Sequence, residues 1–572
     1  MKKNFFIAAV ALVAMAIVST SCRKVEREPK DWFGSSLVFD SLDQNAIVAA
    51  FNLNDIYNYI PGGFNRINNF AGTGDYLDAA SGDAIPSRNN APVSYYYTGA
   101  INVLNNPDPY WANSYYGIRR ANIFIGNIDV VPTAALTKRY WKAEARFIRS
   151  LLYFELVKRY GGVPLIGNKV FSLEDDLQIP RNTFAECVDY IVSECNAVKD
   201  SLRPEPISDA DWGRIPRGAA VALKCRVLLY AASPLFNGGG FETDATKKAL
   251  TGYPTADPSR WQKVIDAAEE LKALNYYALQ TSLTATFLTK KNTEVILSKQ
   301  NANSFSLEST QAPVGYAGTT ASQGLTSPTQ ELVNAFPMLN GLSITEAGSG
   351  YSAANPYAGR DPRLAATVFM NGTSTGGTRW LNRPVETFEG GKDKPNTAAT
   401  ATQTKTGYYV RKFLGDFTNS TAYSNQSHTF VIFRYSEVLL NYAEALNEMG
   451  RVEDAVMQDT LIRRRAGLTP GTNRRYGIKA GISQAEMRDL IRNERRIELA
   501  FEEQRFWDVR RWKIAPTVLN GPLTGVKITN GTPLTYQAVT VATMVFTNKL
   551  YHMPIPYDEI TKNLKLIQNE GW

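Results

Sequence analysis

The chain has 572 residues, of which 44% are hydrophobic and 20% charged, and its formal net charge is +8. This composition is typical of a large folded protein with a substantial core and excludes a disordered chain. Length alone allows two or three domains. Basic residues are mixed with acidic ones along the whole chain, so the composition does not favour nucleic-acid binding.

The N-terminal segment, residues 1–21, is predicted to be a secretion signal. Lys2 and Lys3 precede an apolar run from Phe5 to Val18, and small residues follow before Cys22. The run is shorter than the roughly 20 residues that cross a bilayer, which indicates a signal rather than a membrane span. A cysteine directly after small residues indicates a bacterial lipoprotein, cleaved before Cys22 and acylated on its thiol. The alternative is an ordinary signal peptide with an incidental cysteine.

The residues that follow the signal are predicted to be a lipidated tether, 22–31, and then a folded body, 32–572. The tether is charged and contains Pro29, which suits a solvated linker. If Cys22 carries acyl chains, they hold the protein at a membrane while the body remains in water.

Long amphipathic helices are predicted within the body from the spacing of apolar residues. They are Tyr140–Tyr160, Arg217–Ala232, a hairpin of Phe433–Met449 with Val452–Arg465, and the charged segment Glu486–Lys513. The hairpin turns at Gly450 and fits the tetratricopeptide spacing, with Ala443 and Ala455 at the small positions. Asp459 breaks that match where an aromatic residue is expected.

The charged segment Glu486–Lys513 pairs opposite charges at helical spacing. Arg495 with Glu498, Glu502 with Arg505, and Asp508 with Arg511 are predicted ion pairs. Such pairs are typical of a structural helix. We therefore expect no catalytic role for these carboxylates.

The three cysteines of the body are predicted to be buried thiols. Cys187 and Cys195 are eight residues apart in a helical pattern, a rise of about 12 Å that a disulfide cannot bridge. Cys225 lies in another apolar helix. No paired Cys/His cluster and no H-E-x-x-H pattern occurs in the sequence, so we expect no metal and no cofactor.

One segment matches an enzyme motif. Gly372–Gly376 fits G-x-S-x-G with Ser374 as the nucleophile, but the sequence after it does not predict the helix that this motif needs. The only histidines are His428 and His552. Paired carboxylates for glycoside hydrolysis have no fixed sequence spacing, so a secreted glycoside hydrolase or esterase stays an alternative.

Several blocks in order resemble the SusD/RagB family, and they cover nearly the whole body. These blocks are Ala143–Ile166 (AEARFIRSLLYFELVKRYGGVPLI), Ser327–Gly341, Arg360–Phe369, Phe433–Gly450 (FRYSEVLLNYAEALNEMG), Asn493–Trp512 (NERRIELAFEEQRFWDVRRW) and Met553–Trp572. The resemblance implies a mainly α fold: a SusD-like helical bundle with tetratricopeptide-like helix pairs, extensive irregular loops and few short strands. The body is then a single domain with an N-terminal part, 32–320, and a C-terminal part, 321–572.

The resemblance also implies a function. Members of this family are outer-membrane, cell-surface lipoproteins of Bacteroidota that bind glycans, or in some cases peptides. They pass the ligand to a SusC-like TonB-dependent transporter and are not enzymes. We therefore expect a lipid-anchored glycan-binding protein for nutrient uptake, with the transporter, the glycan and the outer membrane as its partners.

The ligand face implied by the resemblance consists of the loop-rich segments Gly62–Tyr97 and Asn301–Gly324. Sugar rings bind to exposed aromatic faces flanked by polar side chains, because these match their C–H patches and hydroxyl rims. On this basis the predicted ligand-binding residues are Asp75, Tyr76, Arg88, Tyr96, Phe305, Tyr316 and Trp380. Trp111, by contrast, is predicted to be a core residue.

Overall fold

The computed structural model describes residues 35–67, 74–108, 110–314, 316, 323–373, 383–396, 403–415 and 427–572. Helices dominate these residues. The α-helices are α1 (Ser35–Val38), α2 (Ile47–Tyr57), α3 (Ser94–Thr98), α4 (Tyr110–Asn127), α5 (Ala135–Tyr160), α6 (Phe184–Val198), α7 (Arg217–Ala232), α8 (Ala245–Thr251), α9 (Arg260–Lys272), α10 (Leu283–Leu288), α11 (Ser306–Gln311), α12 (Gln330–Ala335), α13 (Pro362–Thr367), α14 (Tyr435–Glu448), α15 (Val452–Ala466), α16 (Gln484–Glu498), α17 (Arg505–Arg511), α18 (Ala515–Val518) and α19 (Tyr557–Lys562). Short 3₁₀ helices span Leu77–Ala80, Ile128–Val130, Lys199–Ser201 and Asn548–Tyr551.

The strands form small two-stranded antiparallel sheets. They are β1 (Ala84–Pro86), β2 (Val295–Lys299), β3 (Thr326–Pro328), β4 (Val368–Phe369), β5 (Tyr409–Val410), β6 (Phe430–Arg434), β7 (Gly521–Thr529) and β8 (Thr535–Met544). Strand β1 pairs with β3, β2 with β6, β4 with β5, and β7 with β8. All of these pairs except the β7–β8 hairpin join segments far apart in sequence. The prediction of a mainly α fold with few short strands is confirmed.

Several long helices begin or end where the sequence predicts, because their start and stop signals are strong. Helix α7 has the predicted bounds, and α5 begins five residues earlier than expected and ends at Tyr160. Gly161 follows α5 with a φ of 78°, a conformation that glycine adopts without strain. Capping boxes start α6 at Thr183 and α16 at Ser483, where each side chain accepts a hydrogen bond from the third residue of the helix.

The sequence predicted that the charged segment Glu486–Lys513 is helical throughout, but the structure divides it into two helices. It consists of α16 and α17, separated by a turn in which Phe501 and Glu503 have φ angles of 62° and 59°. These left-handed residues end the helical path, and Phe501 is buried in the core. The helical periodicity of the segment did not reveal the break, because contacts with distant segments hold the turn.

The predicted ion pairs of this segment are therefore only partly present. Asp508 bonds Arg511 at 2.7 Å as expected. Arg495 instead lies 3.1 Å from Asp508, across the turn. Glu502 binds Arg434 of strand β6 at 2.7 Å.

The long helices pack as a continuous series. Helix α4 packs on α5, α5 on α6, α6 on α7, α7 on α9, α9 on α14, and α14 on both α15 and α16. Ala443 and Ala455, the predicted small positions of the α14–α15 hairpin, are fully buried. Asp459 is also buried, and its Oδ2 lies 3.5 Å from Nε of Arg463. This helical layer is the scaffold of the molecule.

A second hydrophobic cluster lies under the loop-rich segments. Its buried members include Tyr76, Tyr316, Phe369, Phe413 and Phe501. Aromatic rings in this cluster meet edge to face, for example Phe64 and Phe413 with centroids 5.0 Å apart. The loops therefore rest on a packed core of their own.

The predictions for the cysteines and for Trp111 are confirmed. Cys187, Cys195 and Cys225 are buried free thiols, and Trp111 is 4% exposed in the main core. Burial raises the pKa of the Cys187 thiol to about 12, so this thiol stays protonated and unreactive. Among the described residues, no helix is both long and apolar enough to span a bilayer.

Candidate functional site

The β1–β3 sheet brings together the two segments that the sequence predicted as the ligand face, because β1 lies in the first segment and β3 begins just after the second. Ala84 pairs with Pro328 and Pro86 with Thr326. The pairing continues beyond the strands, where the Ser87 amide donates to the carbonyl of Leu325 at 2.6 Å. Side chains that follow β1 therefore lie beside side chains that precede β3.

This arrangement creates a group of polar residues at the surface, which we call the polar cluster: Asp75, Arg88, Asn89, Gln323 and Lys405. Nη2 of Arg88 donates to Oε1 of Gln323 at 2.6 Å. Lys405 donates from Nζ to Oδ1 of Asn89 and from its backbone amide to Oγ of Ser327, the latter at 3.1 Å. The cluster thus unites three distant parts of the chain.

Asp75 is the buried member of the polar cluster. Its carboxylate accepts a hydrogen bond of 3.4 Å from the hydroxyl of Thr326, and the residue is 7% exposed. Loss of solvation raises the pKa of Asp75 to about 7, although Thr326, Arg88 and Lys405 act in the opposite direction. The carboxyl group therefore exists in both protonation states near neutral pH and can accept or donate a hydrogen bond.

A cavity of about 560 Å³ lies beside the polar cluster, between the segment around Lys394 and the β7–β8 hairpin. Asn89 and Lys405 line it together with Lys394 and Lys527. The hydroxyl of Thr387, another lining residue, is buried and has no hydrogen-bond partner among the described residues. The cavity has the size of a ligand pocket and offers lysine donors.

The charge of this cavity is mainly positive. Lys527 bonds Glu389 at 3.0 Å, and both side chains are about half exposed. Lys405 is partly buried, and desolvation lowers the pKa of its amine, while Asp75 acts against that shift. Donors therefore predominate over acceptors, which suits a ligand rich in hydroxyl or acidic oxygen atoms.

Tyr76, Tyr96 and Tyr316 differ from the exposed aromatic surface that the sequence predicted, because their rings are buried. Tyr76 and Tyr316 are both 0% exposed. The Tyr316 hydroxyl donates to the carbonyl of Gly415 at 2.8 Å, and that of Tyr96 donates to Oδ1 of Asn106 at 2.6 Å. Periodicity could not reveal this burial, since the core that covers the rings comes from distant segments. In the structure these residues support the loops and offer no open ring face.

Phe305 keeps an exposed ring, with 42% of the residue accessible at the start of α11. Among the predicted aromatic ligand contacts that the structure describes, Phe305 is the one with an exposed ring. Trp380 and the lipidation residue Cys22 both lie outside the described residues. Of the predicted site residues, the structure thus brings Asp75 and Arg88 together.

Sequence reasoning missed Asn89, Gln323 and Lys405. Arg88 and Gln323 are 235 residues apart, and Asn89 and Lys405 are 316 apart. Asn89 directly follows Arg88, and Gln323 lies inside the predicted ligand segment Asn301–Gly324. Their positions in the sequence could therefore have indicated both residues. Lys405 lies in a part of the chain that carries no recognisable motif.

The structure describes both histidines but not the nucleophile of the enzyme motif. Ser374 of the G-x-S-x-G motif lies outside the described residues. His428 and His552 are both buried, and Nε2 of His428 lies 2.8 Å from Glu308. The described part of the chain contains no group of three or more His, Cys, Asp or Glu side chains placed to hold a metal ion.

A helical scaffold that carries a loop-built polar face defines a class of binding proteins, and comparison with known proteins places the chain within that class. The model of the SusD family matches residues 293–572. A second SusD-like model, described as starch-binding associating with outer membrane, matches residues 35–229. The chain belongs to the SusD/RagB family.

Individual relatives agree with this placement. The SusD-like protein P2 of Formosa agariphila is 27% identical over 474 residues, which is 80% of this chain and 79% of that protein. A SusD-like protein of Bacteroides fragilis has a crystal structure that is 28% identical, with a TM-score of 0.76, over 93% of this chain and 98% of its own. A SusD-like carbohydrate-binding protein of the same species shares the fold, with 22% identity and a TM-score of 0.72, over 91% and 99% of the two chains.

Proposed function

We propose that the protein binds a glycan at the polar cluster and in the adjoining cavity, and that it binds without cleaving it. The observation that carries this proposal is the assembly of Asp75, Arg88 and Lys405 at one surface by the β1–β3 sheet. Family membership supports the same class of ligand, because the matching models include one described as starch-binding.

The chemistry of the cluster suits hydroxyl-rich ligands. Arg88 and Lys405 are donors, Asp75 can accept or donate near neutral pH, and Gln323 and Asn89 can do both. Phe305 adds an exposed aromatic ring within the same loop-rich face. Polar groups and an exposed apolar ring on one loop-rich face match the alternating hydroxyl and C–H surfaces of a sugar.

We further propose that the bound glycan passes to a SusC-like TonB-dependent transporter in the outer membrane. In this proposal Cys22 is acylated and anchors the protein at the cell surface. The description of the second family model as associated with the outer membrane supports the location. The signal-like segment that ends at Cys22 supports the anchor.

Binding to a panel of immobilised glycans tests the proposal. The lipid-free protein, residues 23–572, should be retained by at least one glycan. The variant Lys405→Gln should bind that glycan about tenfold more weakly, because it lacks one charged donor. Lys142→Gln is the matched control, since Lys142 lies on helix α5 and pairs with Asp129. Equal loss of retention in both variants would contradict the assignment of the site.

A further inference from the structure

A second cavity lies in the helical layer, away from the polar cluster. It has a volume of about 360 Å³ and opens between the end of helix α7 and helices α9, α14 and α16. Trp261 and Ile491 give it apolar walls, and Asn447, Arg488 and Arg492 give it polar ones. Trp512, which follows α17, completes the lining.

The carboxylates that line this cavity already have partners. Glu444 bonds Arg511 at 2.6 and 2.7 Å and also accepts from the indole N–H of Trp512. Glu448 bonds Arg488 at 2.5 and 2.8 Å. Two-point ion pairs of this kind hold their members firmly, so neither glutamate is available to another cation.

Arg492 is the cation without such a partner. Among the described residues, its nearest ion-pair partner is Oδ1 of Asp489 at 3.7 Å, and that aspartate side chain is 81% exposed. The Arg492 guanidinium lies over the ring of Trp512, 5.3 Å from its centroid. Burial lowers the pKa of Arg492, with Glu444 and Asp489 acting against that shift and the neighbouring cations Arg511 and Arg488 acting with it.

Two polar atoms of the cavity lining have no hydrogen-bond partner among the described residues: Oδ1 of Asn447 and Nε of Arg492. Asn447 is 0% exposed, and its Nδ2 donates to the carbonyl of Gln484 at 3.0 Å. A buried polar atom without a partner costs about 1 to 3 kcal/mol. The cavity thus places the partly exposed guanidinium of Arg492, which has no two-point carboxylate partner, beside an apolar wall.

We propose that this cavity is a second binding site, for a monosaccharide-sized sugar acid. The guanidinium of Arg492 would receive the carboxylate, and the C–H face of the ring would pack on Trp261 and Ile491. The site is separate from the glycan site proposed above and does not depend on it.

Equilibrium binding of D-glucuronate to the lipid-free protein tests this site, with D-glucose as the neutral match. We expect saturable binding of glucuronate and binding of glucose at least about tenfold weaker, because glucose cannot form the charged pair. Arg492→Gln should reduce glucuronate binding by about tenfold or more. Asp489→Asn should strengthen it, since the substitution removes the competing carboxylate.

Other outcomes would overturn the proposal. Absence of glucuronate binding would exclude the site, and equal binding of glucose and glucuronate would exclude a sugar acid as its ligand. Lys142→Gln, on helix α5, is the matched control and should leave glucuronate binding unchanged. If instead Lys405→Gln abolishes binding and Arg492→Gln does not, glucuronate binds at the polar cluster and the helical cavity is not its site. Thermal unfolding of each variant shows whether a loss of binding reflects a loss of fold.

Discussion

Arg88 donates a hydrogen bond of 2.6 Å to Gln323, across 235 residues of sequence. The bond joins the segment after β1 to the segment before β3 at the edge of the proposed glycan site. Because one partner comes from each half of the ligand face, the pair both holds the face together and presents donors to a ligand. The two residues should therefore act as a unit.

A double-mutant cycle tests this coupling. Arg88→Ala should weaken glycan binding by about tenfold or more, as expected for a lost charged hydrogen bond. Gln323→Ala should weaken it less, and the double variant should bind about as weakly as Arg88→Ala, because coupled residues are not additive. Arg119→Ala is the control on helix α4, where Arg119 donates to the carbonyl of Phe171. Additive effects of the two substitutions would show that the pair is not a unit.

Asp78 should make stability depend on pH. It is fully buried next to Glu503 and Asp83, and burial with these neighbours raises its pKa to about 8. The pKa in the folded state is above the ordinary aspartate value of about 3.9, so between these two values the folded state binds a proton that the unfolded state has lost. Protonated Asp78 contributes its full stabilisation below about pH 4, and this contribution is lost as the pH rises through about 8. Over that range the free energy of unfolding falls by up to about 1.4 kcal/mol per pH unit.

Urea unfolding of Asp78→Asn at a series of pH values checks this expectation. The asparagine cannot ionise and can still accept the bond from the Glu503 amide. The free energy of unfolding of the variant should therefore rise relative to that of the wild type as the pH increases from about 5 to about 8, which lies between the unfolded and folded pKa values of Asp78. Asp266→Asn, exposed on α9, should show no such trend. A constant difference between Asp78→Asn and wild type across this range would contradict the prediction.

The ion network around Arg434 should be essential for the fold. Arg434 is 1% exposed and binds Glu294 at 2.9 Å, Glu498 at 2.7 Å and Glu502 at 2.7 Å. Arg434→Met would leave these buried carboxylates without one of their cations, at a cost of about 3 to 5 kcal/mol in the free energy of unfolding.

Denaturant unfolding measures this cost, and an exposed ion pair provides the control. Arg451 bonds Asp454 at 2.7 Å, but both side chains are substantially exposed. Arg451→Ala should therefore change stability little. Similar effects of Arg434→Met and Arg451→Ala would show that burial does not set the strength of the network.

The proposed lipid anchor depends on Cys22. Cys22→Ser removes the thiol that acylation needs, so the variant should leave the membrane fraction of cells that express the full chain. Cys195→Ala is the control, because Cys195 is a buried thiol of the helical layer. Fractionation followed by immunoblotting reads the result. Retention of Cys22→Ser in the membrane fraction would indicate that another feature holds the protein there.

The helical layer could be predicted from sequence because its signals are local. Apolar spacing and flanking Pro216 and Ser233 define α7, whose bounds match the prediction. The break between α16 and α17 could not be predicted, because Phe501 and Glu503 take left-handed conformations in contact with distant segments. The division of the body at residue 320 stays a prediction.

The candidate site was only partly predictable for the same physical reason. Asp75 and Arg88 were found because they lie in a polar loop that the family resemblance pointed to. Lys405 reaches the cluster through contacts with Asn89 and Ser327 that no local pattern encodes. Burial of Tyr76 and Tyr316 depends on the same long-range packing, and aromatic type alone does not reveal it.

The central claim is that the protein binds a glycan at the polar cluster without cleaving it. The most direct measurement titrates the best-retained glycan into the lipid-free protein by calorimetry and then assays the same sample for new reducing ends. We predict saturable binding that Arg88→Ala and Lys405→Gln weaken, with the glycan recovered intact. Release of reducing ends at an enzymatic rate, or binding unchanged in both variants, would contradict the account.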